Sequence, residues 1–344
     1  MSKLQNTFAK LLFSLPDRFL IRLSGLPQMK AKGGRAMDPA NQLLLTTLLK
    51  KRILEIDKSK TVPQLRDWWK SQLAPFENPP LKGVSHRDIK VHVEGDSIRI
   101  REYTPSGVGT NVPALVYLHG GGFTAFEIDT YQSFCEFVSK KLNIKIYSVG
   151  YRLAPEYPFP VPLEDCCAAF SWVLDNAEEL GIDANRISVG GDSAGGNMSA
   201  ALCLKRRDLG QKMPKGQLLI YPSTDLAGSF PSVEEFAEGQ VITRKHLKWF
   251  HSNYVPNPED MKNPYASPLF AEDHSGLPSA VIVTAGFDPL RDEAQAYADL
   301  LKKAGVHTQH KEYSSLGHGF IVADATAAVQ QANKEICEML DSVL

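Results

Sequence analysis

At 344 residues, with 43 % hydrophobic and 9 % aromatic positions, the chain can bury a large core, as one big α/β domain with an appendage or as two domains. Its 38 basic and 39 acidic residues leave a net charge of −1. That balance supplies no field for steering a polyanion, which excludes nucleic acid as a partner of the chain as a whole. Five cysteines (Cys135, Cys166, Cys167, Cys203, Cys337) form an odd set without metal-ligand spacing, as expected of small buried residues in a reduced, cytoplasmic protein.

The chain opens on a basic stretch. Lys3, Lys10, Arg18, Arg22, Lys30, Lys32 and Arg35 face a single acidic residue, Asp17, within the first 35 positions. Such a run usually forms a solvated helix face; the alternative is an amphipathic segment in contact with a membrane surface. "KLLFSLPDRFLIRLSG" is not read as an export signal, because Pro16, Asp17 and Arg18 interrupt its apolar stretch and no small-residue cleavage site follows.

Helices are predicted over 38–58 and 61–74, opened by Asp38 and Thr61 with a proline close behind each. "DIKVHVEGDSIRIREYTP" then alternates apolar and polar residues about Glu94-Gly95-Asp96, the pattern of a two-stranded hairpin. From Ala114 strands and helices alternate: "ALVYL", a helix near 130–142, "IKIYSV", a helix near 162–179, "ISVG", a helix near 196–209, "QLLIY". After an interruption come "AVIVTAG", a helix near 290–304, "TQHKEY" and a final helix to Leu344. Continuous apolar strands alternating with helices predict an α/β fold with a mostly parallel sheet covered on both faces. The interruption, residues 226–278, is too long for a connecting loop, and its middle ("VEEFAEGQVITRKHLKWFHSNYV") reads as helical, so it is expected to be an inserted subdomain.

"RISVGGDSAGGN" places Ser193 between the end of a strand and the start of a helix. Gly191, Ser193 and Gly195 fit G-x-S-x-G, in which small neighbours let a strained turn present a nucleophilic hydroxyl; the bland alternative is a glycine turn whose serine caps a helix. His119-Gly120-Gly121-Gly122 follows "ALVYL". Glycines there let backbone N–H groups approach a developing oxyanion, and His119 is read as shaping the loop and not as a base. Asp288, just past a strand and before Pro289, is the candidate orienting acid, although it would also suit a helix N-cap. His318 in "SSLGHGF" is the candidate base. The order Ser193, Asp288, His318 is that of the α/β-hydrolases, and all three fall at strand C-terminal ends, where open α/β sheets place ligands.

"HGGGF", "YRLAPEYPFPVPLED", "GDSAGG", "DPLRDE" and "HGF", in that order, resemble the hormone-sensitive lipase family of α/β-hydrolases, many of them bacterial carboxylesterases, over roughly Val84 to the C-terminus. The resemblance implies Ser193 as nucleophile, Asp288 as acid, His318 as base, and Gly121, Gly122 and Ala194 as oxyanion donors. It implies a serine carboxylesterase acting on small-molecule esters with short to medium acyl chains, without metal or organic cofactor, and a dimer through a sheet edge. It also implies a helical cap, split between residues 1–60 and 226–262, over a catalytic core of residues 61–225 and 263–344. Residues 1–37 depart from the family pattern as a longer basic extension. Amide or lactone hydrolysis, or true lipase activity, would use the same groups. A non-catalytic, receptor-like role is disfavoured, because the plant gibberellin receptors that resemble this family lack the histidine that His318 supplies here.

Overall fold

The computed structural model describes residues 12–50, 55–73, 79–228, 230–238, 241–322 and 324–344. Eight strands form one sheet: β1 (Val84–Val93), β2 (Asp96–Pro105), β3 (Val112–Leu118), β4 (Lys145–Gly150), β5 (Ile182–Asp192), β6 (Gly216–Ile220), β7 (Ser279–Phe287) and β8 (Thr308–Gly317), in the spatial order β8-β7-β6-β5-β3-β4-β2-β1. β1 and β2 form the predicted hairpin, in register from Val84 opposite Pro105 to Val93 opposite Asp96, with Gly95 at φ 74° in the turn. β2 runs antiparallel to β4, and every remaining pairing is parallel.

Alternate residues of the parallel strands enter two different cores, because a strand turns successive side chains to opposite faces. Ala114, Val116 and Leu118 of β3 pack on one face with α5 (Val161–Asp175), α6 (Ala194–Asp208) and α9 (Arg291–Lys303). Leu115 and Tyr117 pack on the other with α4 (Gln132–Leu142) and α10 (Ala327–Asp341).

The remaining helices lie to one side of this sandwich. They are α1 (Asp17–Ser24), α2 (Pro39–Lys50), α3 (Val62–Leu73), α7 (Pro231–Glu235) and α8 (Arg244–Tyr254). The helix predicted over 38–58 ends earlier: 51–54 lie outside the described residues, and 55–57 are not helical. Ile56 instead turns inward against Leu65 and Trp69 of α3 and Phe250 of α8. α3 thus packs beside α8. Arg66 of α3 anchors it from there by donating to the carbonyls of Thr124 and Ala154, each at 2.6 Å.

The single helical run expected in the insertion is two helices. Thr243 ends the intervening turn and caps α8, its Oγ1 accepting the His246 N–H at 3.3 Å while His246 Nδ1 accepts the Thr243 N–H at 3.1 Å. Glu235 joins the two parts of the chain on this side, accepting from the Lys32 N–H at 2.7 Å and from Arg291 Nη2 at 3.0 Å. Among the described residues no helix is long and apolar enough to cross a membrane.

Candidate active site

β5 ends at Asp192 and α6 begins at Ala194, two residues before the predicted helix start, so Ser193 alone makes the turn. Its φ of 53° and ψ of −117° lie where side chains other than glycine's are strained. Close packing enforces the flanking glycines. A Cβ on Gly191 would come within 2.2 Å of the Leu118 carbonyl oxygen, and one on Gly195 within 1.9 Å of the same atom. The elbow thus fits under the end of β3 only with hydrogen at both positions.

β3 runs straight into the glycine loop. Gly121 and Gly122 take φ of 119° and 58°. A Cβ on Gly121 would meet the Ala125 carbonyl oxygen at 2.0 Å, and one on Gly122 would meet the Phe250 ring at 2.3 Å. Both glycines border the same cavity as Ser193. Ala194 is the first residue of α6, where helix N–H groups have no intrahelical acceptor and the dipole is positive.

Asp288 and His318 arrive from the ends of β7 and β8. His318 Nδ1 lies 2.7 Å from Asp288 Oδ2, and His318 Nε2 lies 3.0 Å from Ser193 Oγ. The three predicted side chains are therefore contiguous, and all are buried. The two readings of Asp288 divide between its oxygens. Oδ1 accepts the Leu290 N–H at 2.8 Å, a turn role, which leaves Oδ2 for the histidine. Pro289 sits in that turn, not at the first helical position, since α9 starts at Arg291. Asp292 points elsewhere, accepting from the Ser232 N–H at 3.0 Å and from Arg291 Nε at 2.8 Å.

His119 is not brought to the serine. It stacks on Tyr151 at 4.3 Å between ring centroids, and its Nδ1 meets the Gly120 carbonyl at 2.7 Å. Burial pushes its pKa down to about 4, so the ring is neutral at pH 7 and works as a loop spacer.

Two buried acids had no assigned chemistry in the sequence. Asp192 Oδ1 accepts the Gly120 N–H at 2.9 Å and the Tyr117 hydroxyl at 2.8 Å, fastening the glycine loop to the elbow. Burial pushes its carboxyl up to about 6, against those two donors. Only its place inside G-x-S-x-G hinted at a structural bond.

Glu293, in "DPLRDE", is fully buried and accepts the Thr224 N–H at 2.7 Å; its Oε2 has no hydrogen-bond partner among the described residues. Burial first, then the charge of Asp225, raises its pKa well above the ordinary range. An acid so raised binds its proton more tightly folded than unfolded. Its contribution is thus fully present at low pH and is lost as pH climbs from the unfolded value of about 4.3 through the raised folded one. Glu293→Gln carries no such proton. The melting temperature of the wild type relative to this variant is expected to fall as pH climbs above the unfolded value; parallel curves would refute the raised pKa.

A cavity of about 380 Å³ lies over Ser193 and His318, within the range of small-molecule sites. Its apolar walls come from both parts of the helical layer: Leu44, Leu45 and Leu48 of α2, with Ile242 and Phe250 from the insertion. Phe123 of the glycine loop stacks on Tyr254 of α8 with centroids 3.7 Å apart, fixing one wall to the catalytic floor. Among the described residues, no group of three or more His, Cys, Asp or Glu side chains is arranged to hold a metal ion.

A mostly parallel sheet that lifts a serine on a strand-to-helix elbow, next to a histidine and an aspartate in this chain order, defines an α/β-hydrolase. A family model described as alpha/beta hydrolase fold matches residues 115–322. Carboxylic ester hydrolase LipN of Mycobacterium tuberculosis is 38 % identical over 297 residues, 84 % of this chain and 78 % of that protein. An arylesterase of Saccharolobus solfataricus is 37 % identical over 242 residues, 70 % of this chain and 78 % of that one. Among solved structures, an ester hydrolase from the metagenome of Lake Arreo, complexed with a derivative of bipyridine phosphonate, superposes with a TM-score of 0.84 at 37 % identity, covering 89 % of this chain and 98 % of that one. A hyperthermophilic esterase of Pyrobaculum calidifontis gives 0.81 at 36 % identity, covering 86 % and 96 %. The chain belongs to the hormone-sensitive lipase family of α/β-hydrolases.

Proposed function

We propose that this carboxylic ester hydrolase cleaves small esters with short to medium acyl chains through an acyl-enzyme on Ser193. The observation that carries the reading is the unbroken relay in which His318 stands 3.0 Å from Ser193 Oγ and 2.7 Å from Asp288 Oδ2. As Ser193 Oγ bonds the ester carbonyl carbon, His318 Nε2 takes its proton, and Asp288 stabilises the imidazolium. The carbonyl oxygen becomes an oxyanion, which accepts from the N–H groups of Gly121, Gly122 and Ala194. Collapse breaks the C–O bond, and His318 returns the proton to the departing alkoxide. Water, deprotonated by His318 in turn, adds to the acyl carbon; the Ser193 Oγ–acyl bond then breaks, His318 returns the proton to Oγ, and the acid leaves.

The roof over the serine, built from α2 and α8 with α3 packed against α8, is the cap in this reading. Buried thiols at four of the five cysteines, with Cys167 half-buried and none in a disulfide, support a reducing compartment such as the cytoplasm.

The roofed cavity sets the substrate prediction. Each methylene that enters an apolar pocket gains about 0.8 kcal/mol, about fourfold in kcat/KM, until the chain meets the far wall. Beyond that point packing opposes further length. With p-nitrophenyl esters, kcat/KM is expected to rise from acetate to butyrate or hexanoate and then fall. A steady rise through dodecanoate, with activation at an oil–water interface, would mark a true lipase and overturn this reading of the cap.

A further inference from the structure

Among the described residues, helix α1 packs on the protein through its Leu20 and Ser24 face. Leu20 is buried against Ala40 and Leu43 of α2, and Ser24 Oγ accepts from Gln42 Nε2 at 2.9 Å. On the adjoining face Phe19 and Leu23 are 44 and 51 % exposed, and Leu15 and Leu26 on the helix's flanks 39 and 49 %, half of the large exposed hydrophobics among the described residues. Phe19 and Leu23, four apart, share one face of the helix as a stripe, and Leu15 and Leu26 flank it just before Pro16 and just after the left-handed Gly25. Arg18 and Arg22 lie beside the stripe, with the Arg18 guanidinium 4.9 Å from the centre of the Phe19 ring. Lys30 and Lys32 follow at the surface, and from residue 12 to residue 35 the acidic side chains number one, Asp17.

We infer that this face docks the protein onto an anionic lipid bilayer. A rigid helix with an apolar stripe bordered by cations has the form of an interfacial helix, which buries the stripe at the headgroup boundary while the cations meet lipid phosphates. Charge decides against a second copy of the chain: a two-fold contact sets the same patch against itself and would bring Arg18 and Arg22 toward their own images. The stripe borders neither of the two best-formed cavities, so it offers a surface and not a groove for a peptide. Because α1 rests on α2, and α2 supplies Leu44, Leu45 and Leu48 to the cavity over Ser193, docking sets the cap against the bilayer. The docking stands independently of ester hydrolysis; its benefit, access to esters dissolved in the membrane, rests on that reading.

The test is co-sedimentation of the full chain with vesicles of equal parts phosphatidylcholine and phosphatidylserine, against phosphatidylcholine alone, at low and high salt. The wild type is expected to pellet with the mixed vesicles, and high salt to release it. Phe19→Ser/Leu23→Ser is expected to lower partitioning at least tenfold, and Arg18→Gln/Arg22→Gln about 25-fold, near fivefold for each charge. Leu209→Ser, removing an exposed leucine at the far end of α6, should leave partitioning unchanged. Hydrolysis of p-nitrophenyl acetate in solution should be the same for all four proteins, which shows that the variants are folded. No pelleting by the wild type, equal pelleting with both lipids, or undiminished pelleting of Phe19→Ser/Leu23→Ser would overturn the inference. So would a dimer in light scattering that the same variant dissociates while vesicle binding is absent, which would assign the stripe to self-association.

Discussion

Ser193→Ala is expected to lower kcat/KM by about four to six orders of magnitude, the loss seen when a serine nucleophile is removed from a relay of this kind. The hydroxyl's partner is His318 Nε2 at 3.0 Å, so its removal leaves the His318–Asp288 bond and the packing of the elbow intact. The strained backbone at Ser193 suits Ala no worse than Ser. The melting temperature should therefore stay within about 2–4 °C, the shift that 1 kcal/mol produces in a large domain. An organophosphate should label Ser193 in the wild type and nothing in the variant. Label recovered on another residue, or high activity in Ser193→Ala, would remove the serine from the mechanism.

Asp288→Asn is expected to lower kcat by about 10⁴, the effect of forcing the wrong histidine tautomer. An asparagine keeps an oxygen for the Leu290 N–H but turns an N–H₂ toward His318 Nδ1. The ring must then accept there and carry its proton on Nε2, where it can no longer receive one from Ser193. Asp292→Asn is the internal control four residues on. Asp292 meets Ser232 and Arg291, so its loss should cost a few degrees of melting temperature and leave kcat near wild type. The reverse pattern would mean that the wrong carboxylate orients the histidine.

Much of this site is legible in the chain before any coordinates. Glycines at 191 and 195 around Ser193 mark a tight strand-to-helix turn in the chain itself; why they must be glycine, the Leu118 carbonyl packed against both, is seen only in the fold. The period of two in the β1–β2 hairpin and the unbroken apolar strands after it describe a sheet with one wet edge and a covered middle, and such patterns follow from local geometry. Asp288 is preferred over Asp292 in the sequence on the expectation that Asp292 lies a turn into the next helix; α9 begins only at Arg291, and it is the Ser232 N–H and the Arg291 guanidinium that hold Asp292 away.

What the chain alone determined, then, is whatever depends on near neighbours: strand and helix order, the two glycine turns, and the order in which Ser193, Asp288 and His318 follow one another. Tertiary structure decided what depends on residues far apart in sequence. Ile56 leaves the helical pattern because Trp69 and Phe250 offer it a buried site, and α3 joins the insertion for the same reason; no local propensity encodes either choice. Asp192 fastens the glycine loop only because β3 and β5 are paired, with Leu118 opposite Gly191. Glu293 binds its proton more tightly only because folding places it in a dry space beside Asp225. Desolvation and packing are sums over the whole surroundings of a group, and those surroundings exist only once the chain has folded.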